Sequence, residues 1–574
     1  MIKKISFILA LSLSFYSCSN SKSNFKDTGQ QIKIDQVGYK SISKKIAIIP
    51  DSTSNEFNLV NVVTGETVFS GKTTEPKEWK YSGTKVKEAD FSDFNTEGIY
   101  KITCNGATES YPFAIGNNVY NELAIAAMKS YYFARAGVEI TEQFGGKYAR
   151  PAGHEDTKIK IHKTATGPKR KEGDIISSPR GWYDAGDYNK YVVNSSISVW
   201  ELLNACELYP NYIQNFKLNI PESNNNLPDI LDEILFNLRW MLTMQDPDDG
   251  GAYHKLTSLN FCGMVMPEND SLERYVIQKS TSATLDLAAT CAKASRIIKN
   301  YENQLPGLVD SLNKTAKNAW NWAVKNPNVL YDKNPEGVST GAYNDTKISD
   351  EWTWAAVEMF LTFNDIKYLN QINENDYIIA VPSWDSTSCL ALCSILNQKD
   401  LVIQQNSDLV NFAKNKIVDL ATQLYTEYEN SAYKTPLNVF PWGSNSECAN
   451  RGIILLSAYK VTNDVKYLEA AQACLHYILG RNPLDNCFVT GFGTKSSKDI
   501  HDRRSVADKN PLPVPGYLAG GPFWAAGADC GEDCYKDQHP AMKYYDFFES
   551  YSTNEIAINW NAALVMLVIA LENE

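Results

Sequence analysis

Near Val119 the hydrophobic period of this chain changes from that of strands to that of helices, and it does not change back. Two unlike packing units must therefore share one polypeptide. Before the switch, from about 31 to 115, short apolar runs such as Ile46-Ala47-Ile48-Ile49, Phe57-Asn58-Leu59-Val60, Thr67-Val68-Phe69 and Ile99-Tyr100-Lys101-Ile102 are broken by Gly65, Gly71, Gly83 and Gly98. That pattern predicts roughly seven short strands in an immunoglobulin-like sandwich. It carries no evident catalytic set, so its expected role is to pack against the helical part of the chain and stabilise it. After the switch, amphipathic stretches recur near 119–136, 195–208, 228–244, 280–299, 309–324, 350–364, 385–397, 407–427, 447–460, 464–479 and 554–572. About eleven or twelve helices with polar, aromatic-rich loops predict a toroid of helical hairpins, whose long loops can build an open cleft on one face.

Chemistry concentrates just ahead of the second helical stretch. Gly181-Trp182-Tyr183-Asp184-Ala185-Gly186-Asp187-Tyr188-Asn189-Lys190-Tyr191 sets two carboxylates three residues apart on a glycine-bearing turn among four aromatics. Such a pair more often caps a helix or binds calcium than does chemistry, so a catalytic reading needs a partner. Glu555, in Tyr551-Ser552-Thr553-Asn554-Glu555-Ile556, supplies one. Ser552 and Glu555 have capping-box spacing, which gives Glu555 an ordinary structural role. The chain is then almost wholly apolar through Leu571 and reads as a buried helix. A carboxyl at the mouth of that helix is desolvated on one side, which raises its pKa and suits a general acid. An Asp held in a wetter, polar turn suits the complementary base.

The two segments together resemble glycoside hydrolase family 9, the inverting cellulase family, whose catalytic turn reads Asp-Ala-Gly-Asp and whose acid follows an Asn at the start of the last helix. Met244-Gln245 to Gly250-Gly251-Ala252-Tyr253-His254-Lys255, Cys262-Gly263-Met264-Val265-Met266-Pro267, Trp442-Gly443-Ser444-Asn445, Leu479-Gly480-Arg481-Asn482-Pro483 and His501-Asp502-Arg503-Arg504-Ser505 resemble the family in the same order, so the likeness runs from about Ile32 to Glu574. Asp35-Gln36-Val37-Gly38-Tyr39 and Asp90-Phe91-Ser92 resemble the amino-terminal module that precedes many of its catalytic domains. The resemblance implies an all-β immunoglobulin-like sandwich followed by an all-α (α/α)6 barrel. It implies that Asp187 is the general base, that Asp184 helps hold the attacking water, and that Glu555 is the general acid. It places His501, Arg503 and His254 beside the scissile bond, Tyr551 and Trp560 in the cleft, and Trp442 under a glucosyl ring. The plainer alternatives are satisfied structural groups for the first three and core packing for the aromatics. Two positions depart from the pattern: Gly153 stands where some relatives have the Cys of a Cys-His zinc pair, and Glu549 where relatives carry Asp.

Met1-Ile2-Lys3-Lys4 and the apolar run to Phe15 are too short to span a bilayer and read as an export signal, with Ser17-Cys18 resembling a lipoprotein cleavage site and Cys18 the lipidated residue. The expected organisation is a signal peptide over 1–18, a tether over 19–30, the sandwich over 31–116 and the catalytic barrel over 117–574. A net charge of -12 argues against nucleic acid or an anionic membrane surface as partner, because both demand basic patches. Six histidines and no phosphate-cradling glycine loop leave little room for a metal centre or a nucleotide. No cofactor is expected to be required, a structural calcium ion is compatible with the composition, and no metal ligands are assigned. Of twelve scattered cysteines, Cys389 and Cys393 read as buried thiols, while Cys530 and Cys534 are candidates for a bridge or, with His539, for a metal. The expected protein is an exported monomer, lipid-anchored in the periplasm or at the outer membrane, and an endo-acting β-1,4-glucanase on cellulose-like, mixed-linkage or xyloglucan chains. An exo-acting β-glucosidase or glucosaminidase would use the same catalytic set, and a non-catalytic glycan-binding lipoprotein would merely keep the fold.

Overall fold

The computed structural model of the chain describes residues 30–51, 54–372, 377–527, 529–531 and 534–574. The expected signal peptide, Cys18 and the tether through residue 29 lie outside the described residues.

Among the described residues the amino-terminal unit has eight strands where about seven were expected: β1 (Gly38–Tyr39), β2 (Ile46–Pro50), β3 (Glu56–Asn61), β4 (Thr67–Lys72), β5 (Lys77–Trp79), β6 (Thr84–Asp90), β7 (Gly98–Cys104) and β8 (Phe113–Ile115). They form a five-stranded sheet in the order β1-β8-β7-β3-β4 and a three-stranded sheet in the order β2-β6-β5. Side-chain alternation sorts β7 cleanly: Tyr100, Ile102 and Cys104 point into the sandwich while Ile99 is exposed. On β2 the same alternation divides residues between two cores. Ala47 and Ile49 join the sandwich interior, whereas Ile46 and Ile48, with Trp79 and Val86, pack into the interior of the helical unit. That double burial explains why Ile46-Ala47-Ile48-Ile49 is apolar throughout instead of alternating. Further ties reinforce the joint: Gln36 N–H donates to Leu479 O at 3.0 Å, and the Tyr39 and His476 rings stand 4.8 Å apart.

In the helical unit, six helices form a closed inner ring in chain order: Val192–Leu208, Thr281–Ile298, Ser349–Phe363, Ser388–Asn397, Ser444–Thr462 and Ile558–Asn573, the last returning to the first. Each is backed by an outer element: Asp229–Thr243, Leu308–Lys325, the 3₁₀ segment Ile366–Gln371, Ser407–Asn430, Val465–Ile478 and Asn121–Ala134 respectively. The short 3₁₀ segment in the twelfth position is why only eleven helical stretches are legible in the sequence. Inner helices are buried nearly all round, Thr281–Ile298 most completely, whereas outer ones such as Leu308–Lys325 keep one polar face.

Two features differ from an all-helical expectation. Segments 175–176, 159–161, 274–276, 255–258 and 190–191 pair, in that order, into a five-stranded sheet. Its strands are two to four residues long, too short to register as a period of two. The catalytic-looking turn runs straight into its edge strand, Lys190–Tyr191, which pairs with Lys255–Ser258. The other difference concerns Glu555. Ser552 and Glu555 do not cap the last helix, because Tyr551–Asn554 is a separate single turn and Glu555 is extended (φ -68°, ψ 159°), three residues before Ile558.

Candidate active site

The 181–191 turn is buried along its whole length. Asp184 N–H donates to Asn189 O at 3.0 Å, and Asp184 O accepts the Ile558 N–H at 2.8 Å, which ties the turn to the start of the final helix. Gly186 is where three segments meet. Its N–H points at Glu555 Oε1 at 3.4 Å, and its carbonyl accepts from Arg503 Nη1 at 2.7 Å. A Cβ at this position would lie 2.4 Å from His501 O and 3.2 Å from Glu555 Oε1. Only glycine lets the carboxylate turn and the Glu555 segment approach this closely.

Asp184, Asp187 and Glu555 line one cleft of about 900 Å³. Asp184 Oδ1 accepts from Asn194 Nδ2 at 2.9 Å and Oδ2 from the Tyr343 hydroxyl at 2.7 Å. Burial, and then the neighbouring Asp187, push the Asp184 carboxyl up to about 8. Asp187 Oδ2 accepts from Asn189 Nδ2 at 2.5 Å and from the Tyr191 hydroxyl at 3.2 Å, while its Oδ1 has no hydrogen-bond partner among the described residues. Burial, followed by repulsion from Asp187 and Asp184, raises the Glu555 carboxyl well above the usual range; the Arg503 charge and the Gly186 N–H pull the other way. The site thus pairs a proton-holding carboxyl with a second, hydrogen-bonded carboxyl that has one oxygen to spare.

His501, Arg503, Trp442, Tyr551 and Trp560 also line the cleft. His501 Nδ1 donates to Phe548 O at 2.6 Å, which leaves Nε2 as the ring's acceptor. Arg503 is held by Gly186 O and, through Nε, by Cys262 O at 3.2 Å. Trp442 and Tyr551 are 46% and 42% exposed, with ring centroids 5.8 Å apart. Trp560 packs over Gly443, where a Cβ would come within 2.6 Å of its ring. His254, expected beside the sugar, is instead fully buried and away from the cleft lining. Its Nε2 faces the carbonyls of Ala342 and Tyr343, both at 3.1 Å, its Nδ1 meets Ser280 Oγ at 2.9 Å, and its ring stacks on Tyr331 at 3.9 Å. Burial, and then Lys255, push it down to about 3, so it is a neutral prop for the loop that carries Tyr343.

Sequence reasoning missed that loop. Tyr343 sits at φ 48°, an unusual conformation for an aromatic residue, and no spacing or composition marks it. Trp384, on the loop Pro382-Ser383-Trp384-Asp385 of the cleft wall, meets Tyr343 edge-on at 5.2 Å and is equally silent in the sequence. Lys255 is different, since it closes a recognisable motif. Its buried ammonium donates to Asn334 Oδ1, Thr340 Oγ1 and Gly341 O at 2.7, 3.1 and 2.7 Å. Thr340 bonds Thr257, Thr257 bonds Asn189, and Asn189 bonds Asp187, a chain of polar contacts that fixes the Asp187 rotamer.

Metal expectations fare less well. A Cβ on Gly153 would lie 2.4 Å from the Pro267 carbonyl carbon, so no cysteine fits there, and His154 is occupied by the Tyr183 hydroxyl and Asp270. Cys530 and Cys534 are bonded to each other and so offer no thiolate beside His539, which binds Asp537 instead. Asp286, Asp345, Asp350 and Glu351 are buried, each with an oxygen lacking a hydrogen-bond partner among the described residues. Among those same residues, however, no three His, Cys, Asp or Glu side chains converge as a metal site.

Two family models match this chain: glycosyl hydrolase family 9 over residues 120–568, and the cellulase N-terminal ig-like domain over residues 27–109. The chain is 40% identical over 553 residues to a xyloglucan-specific endo-beta-1,4-glucanase of Bacteroides ovatus, covering 94% of this chain and 93% of that protein. It is 32% identical over 552 residues to endoglucanase D of Acetivibrio thermocellus, covering 95% and 83% respectively. A solved structure of a Bacteroides ovatus GH9 protein superposes with a TM-score of 0.88 at 38% identity, covering 95% of this chain and 99% of that one.

Proposed function

The chain belongs to glycosyl hydrolase family 9, and from that premise we propose how its cleft cuts a β-glucan and which one it prefers. Its ring of paired helices is the family's (α/α)6 barrel, preceded by the immunoglobulin-like domain, and the protein is a glycoside hydrolase of the endo-β-1,4-glucanase kind. The observation that carries the mechanism is the desolvated Glu555 carboxyl facing the Asp184–Asp187 turn across Gly186.

Burial, and then two nearby carboxyls, disfavour the Glu555 anion and raise its carboxyl well above the usual range, which suits it to hand a proton to the leaving glycosidic oxygen. Asp184 and Asp187 share a buried turn, and burial, then the neighbouring Asp187, push the Asp184 carboxyl up to about 8. The unpartnered Asp187 Oδ1 then takes a proton from the attacking water, which Asp184 helps hold. Water enters as the aglycone leaves, and the anomeric centre inverts in a single displacement. Arg503 and His501 meet sugar hydroxyls, while Trp442, Tyr551 and Trp560 offer ring faces to the C–H faces of glucosyl units.

The preferred substrate is xyloglucan. Its support is the full-length likeness to the xyloglucan-specific Bacteroides enzyme. Chromatography of products from xyloglucan, mixed-linkage glucan, carboxymethylcellulose and cello-oligosaccharides tests this. Early release of mid-sized oligosaccharides, fastest from xyloglucan, is expected, and proton NMR on fresh product should show the α-anomer first. Stepwise release of monosaccharide from chain ends would replace the endo reading with an exo one, and an initial β-anomer would sink the single displacement.

The protein is exported and anchored by lipid at Cys18. The support is the charged-then-apolar start of the sequence; among the described residues no helix is long and apolar enough to cross a membrane. Cys18→Ser should move the protein from the membrane fraction to the soluble one. Unchanged fractionation would rule the anchor out.

A further inference from the structure

Outside the cleft lining, the most exposed large aromatic ring among the described residues is that of Trp524. Trp524 is 64% exposed. Its N–H donates to Phe440 O at 2.9 Å, its carbonyl accepts from Lys543 Nζ at 3.0 Å, and the preceding Phe523 N–H donates to Lys543 O at 3.0 Å. Phe440 is buried against Trp79 and Tyr81 of the sandwich, with centroids 6.1 and 5.7 Å away, so the segment carrying Trp524 is anchored at the joint between the two domains. Phe440 also lies two residues before Trp442, which places the cleft tryptophan and the exposed one on neighbouring, hydrogen-bonded backbone. A single exposed apolar ring is ordinary on a protein surface; what distinguishes Trp524 is its contact, through Phe523, with the rings of the cleft.

The rings contact one another in series. Centroid spacings are 5.8 Å from Tyr551 to Trp442, 6.1 Å from Trp442 to Phe523 and 6.1 Å from Phe523 to Trp524. The first pair lines the cleft, and the second pair continues outside it towards the sandwich. Each step is about the length of a single sugar ring. Trp442 and Phe523 are inclined by only 35°, and Trp524 then stands edge-on to Phe523 at 72°.

We infer that Phe523 and Trp524 extend the substrate track beyond the catalytic cleft and hold a distal stretch of a long β-glucan by stacking on its sugar faces. The inference rests on the glucanase reading above, and the occupant is argued from the continuity of this series with the cleft that the same polymer must enter. A short oligosaccharide that fills only the cleft does not reach Trp524, whereas a polymer does.

Steady-state kinetics of the full chain on xyloglucan polymer and on cellotetraose test this, alongside electrophoresis through gels with and without xyloglucan. Trp524→Ala should raise KM on polymer about three- to tenfold, the effect of losing one aromatic stacking contact. It should leave polymer kcat, both cellotetraose parameters and the melting temperature unchanged, and lose retardation in the xyloglucan gel; Trp524→Phe should retain most of the affinity. An unchanged KM on polymer, equal losses on both substrates, or an effect confined to self-association in sedimentation would overturn the track. Should the parent chain hydrolyse neither substrate, the glucanase reading falls by itself, and the gel shift still decides whether Trp524 holds glucan.

Discussion

Glu555→Ala should lower turnover on unactivated β-glucans by about 10²–10⁴-fold, because an unprotonated glycosidic oxygen is a poor leaving group. Asp187→Ala should fall at least as far, since its Oδ1 is the spare carboxyl oxygen of the turn. The two variants should part on a glycosyl fluoride. Fluoride leaves without a proton, so Glu555→Ala should recover much of its rate there and Asp187→Ala should not. Rescue of the Asp187 variant instead would exchange the roles. The pH profile adds an independent check. As the proposed general acid Glu555 would act in its protonated form, and burial raises its pKa, so kcat on unactivated glucans should fall as pH rises through that value, and fluoride hydrolysis by Glu555→Ala should lack this alkaline limb. Stability runs the same way. A carboxyl that binds its proton more tightly folded than unfolded contributes most below the unfolded carboxylate range, and this is lost with rising pH. Relative to the parent, Glu555→Ala should therefore melt higher at about pH 8 than at about pH 5, whatever it loses in packing. A relative stability moving in the opposite sense would contradict a proton-holding Glu555.

Gly186→Ala should be nearly as damaging although it removes no functional group. The added methyl would sit 2.4 Å from a backbone oxygen of the His501 segment, and backbone cannot swing aside as a flexible side chain can. The turn and the Glu555 segment must separate, and a misplacement of about 1 Å in a reacting pair costs on the order of 10²-fold. The loss should be in kcat, with far-ultraviolet circular dichroism and the quaternary state preserved. A variant with normal kcat on polymer would show that the approach of the two segments is not what sets the chemistry.

Much of this architecture is legible in the sequence, and the remainder is hidden for physical reasons. The change of period at Val119 divides the chain because strand and helix burial repeat at different intervals, and all eleven expected helical stretches correspond to long helices. Asp184, Asp187 and Glu555 can be read because carboxylates in apolar or aromatic company are conspicuous. Tyr343 and Trp384 cannot, since a lone aromatic in a long loop looks the same whether it props a catalytic carboxyl or fills a gap. His254 misleads because its motif marks a position near the sugars, while its ring faces away into the carbonyls of the Tyr343 loop. Capping-box spacing puts Glu555 on the last helix; in fact an extended break of three residues aims its side chain at Gly186.

The division of β2 between two interiors bears on how such a chain can evolve. A module joined by a linker can be lost, swapped or duplicated without harm to its neighbour. Here Ile46 and Ile48 belong to the barrel while Ala47 and Ile49, one position away, belong to the sandwich. Deleting the first domain would expose hydrocarbon on the second, and shifting the strand by a single residue would exchange the two sets. In this chain the stability of the two domains is therefore a joint property, and a change in one interior is felt in the other.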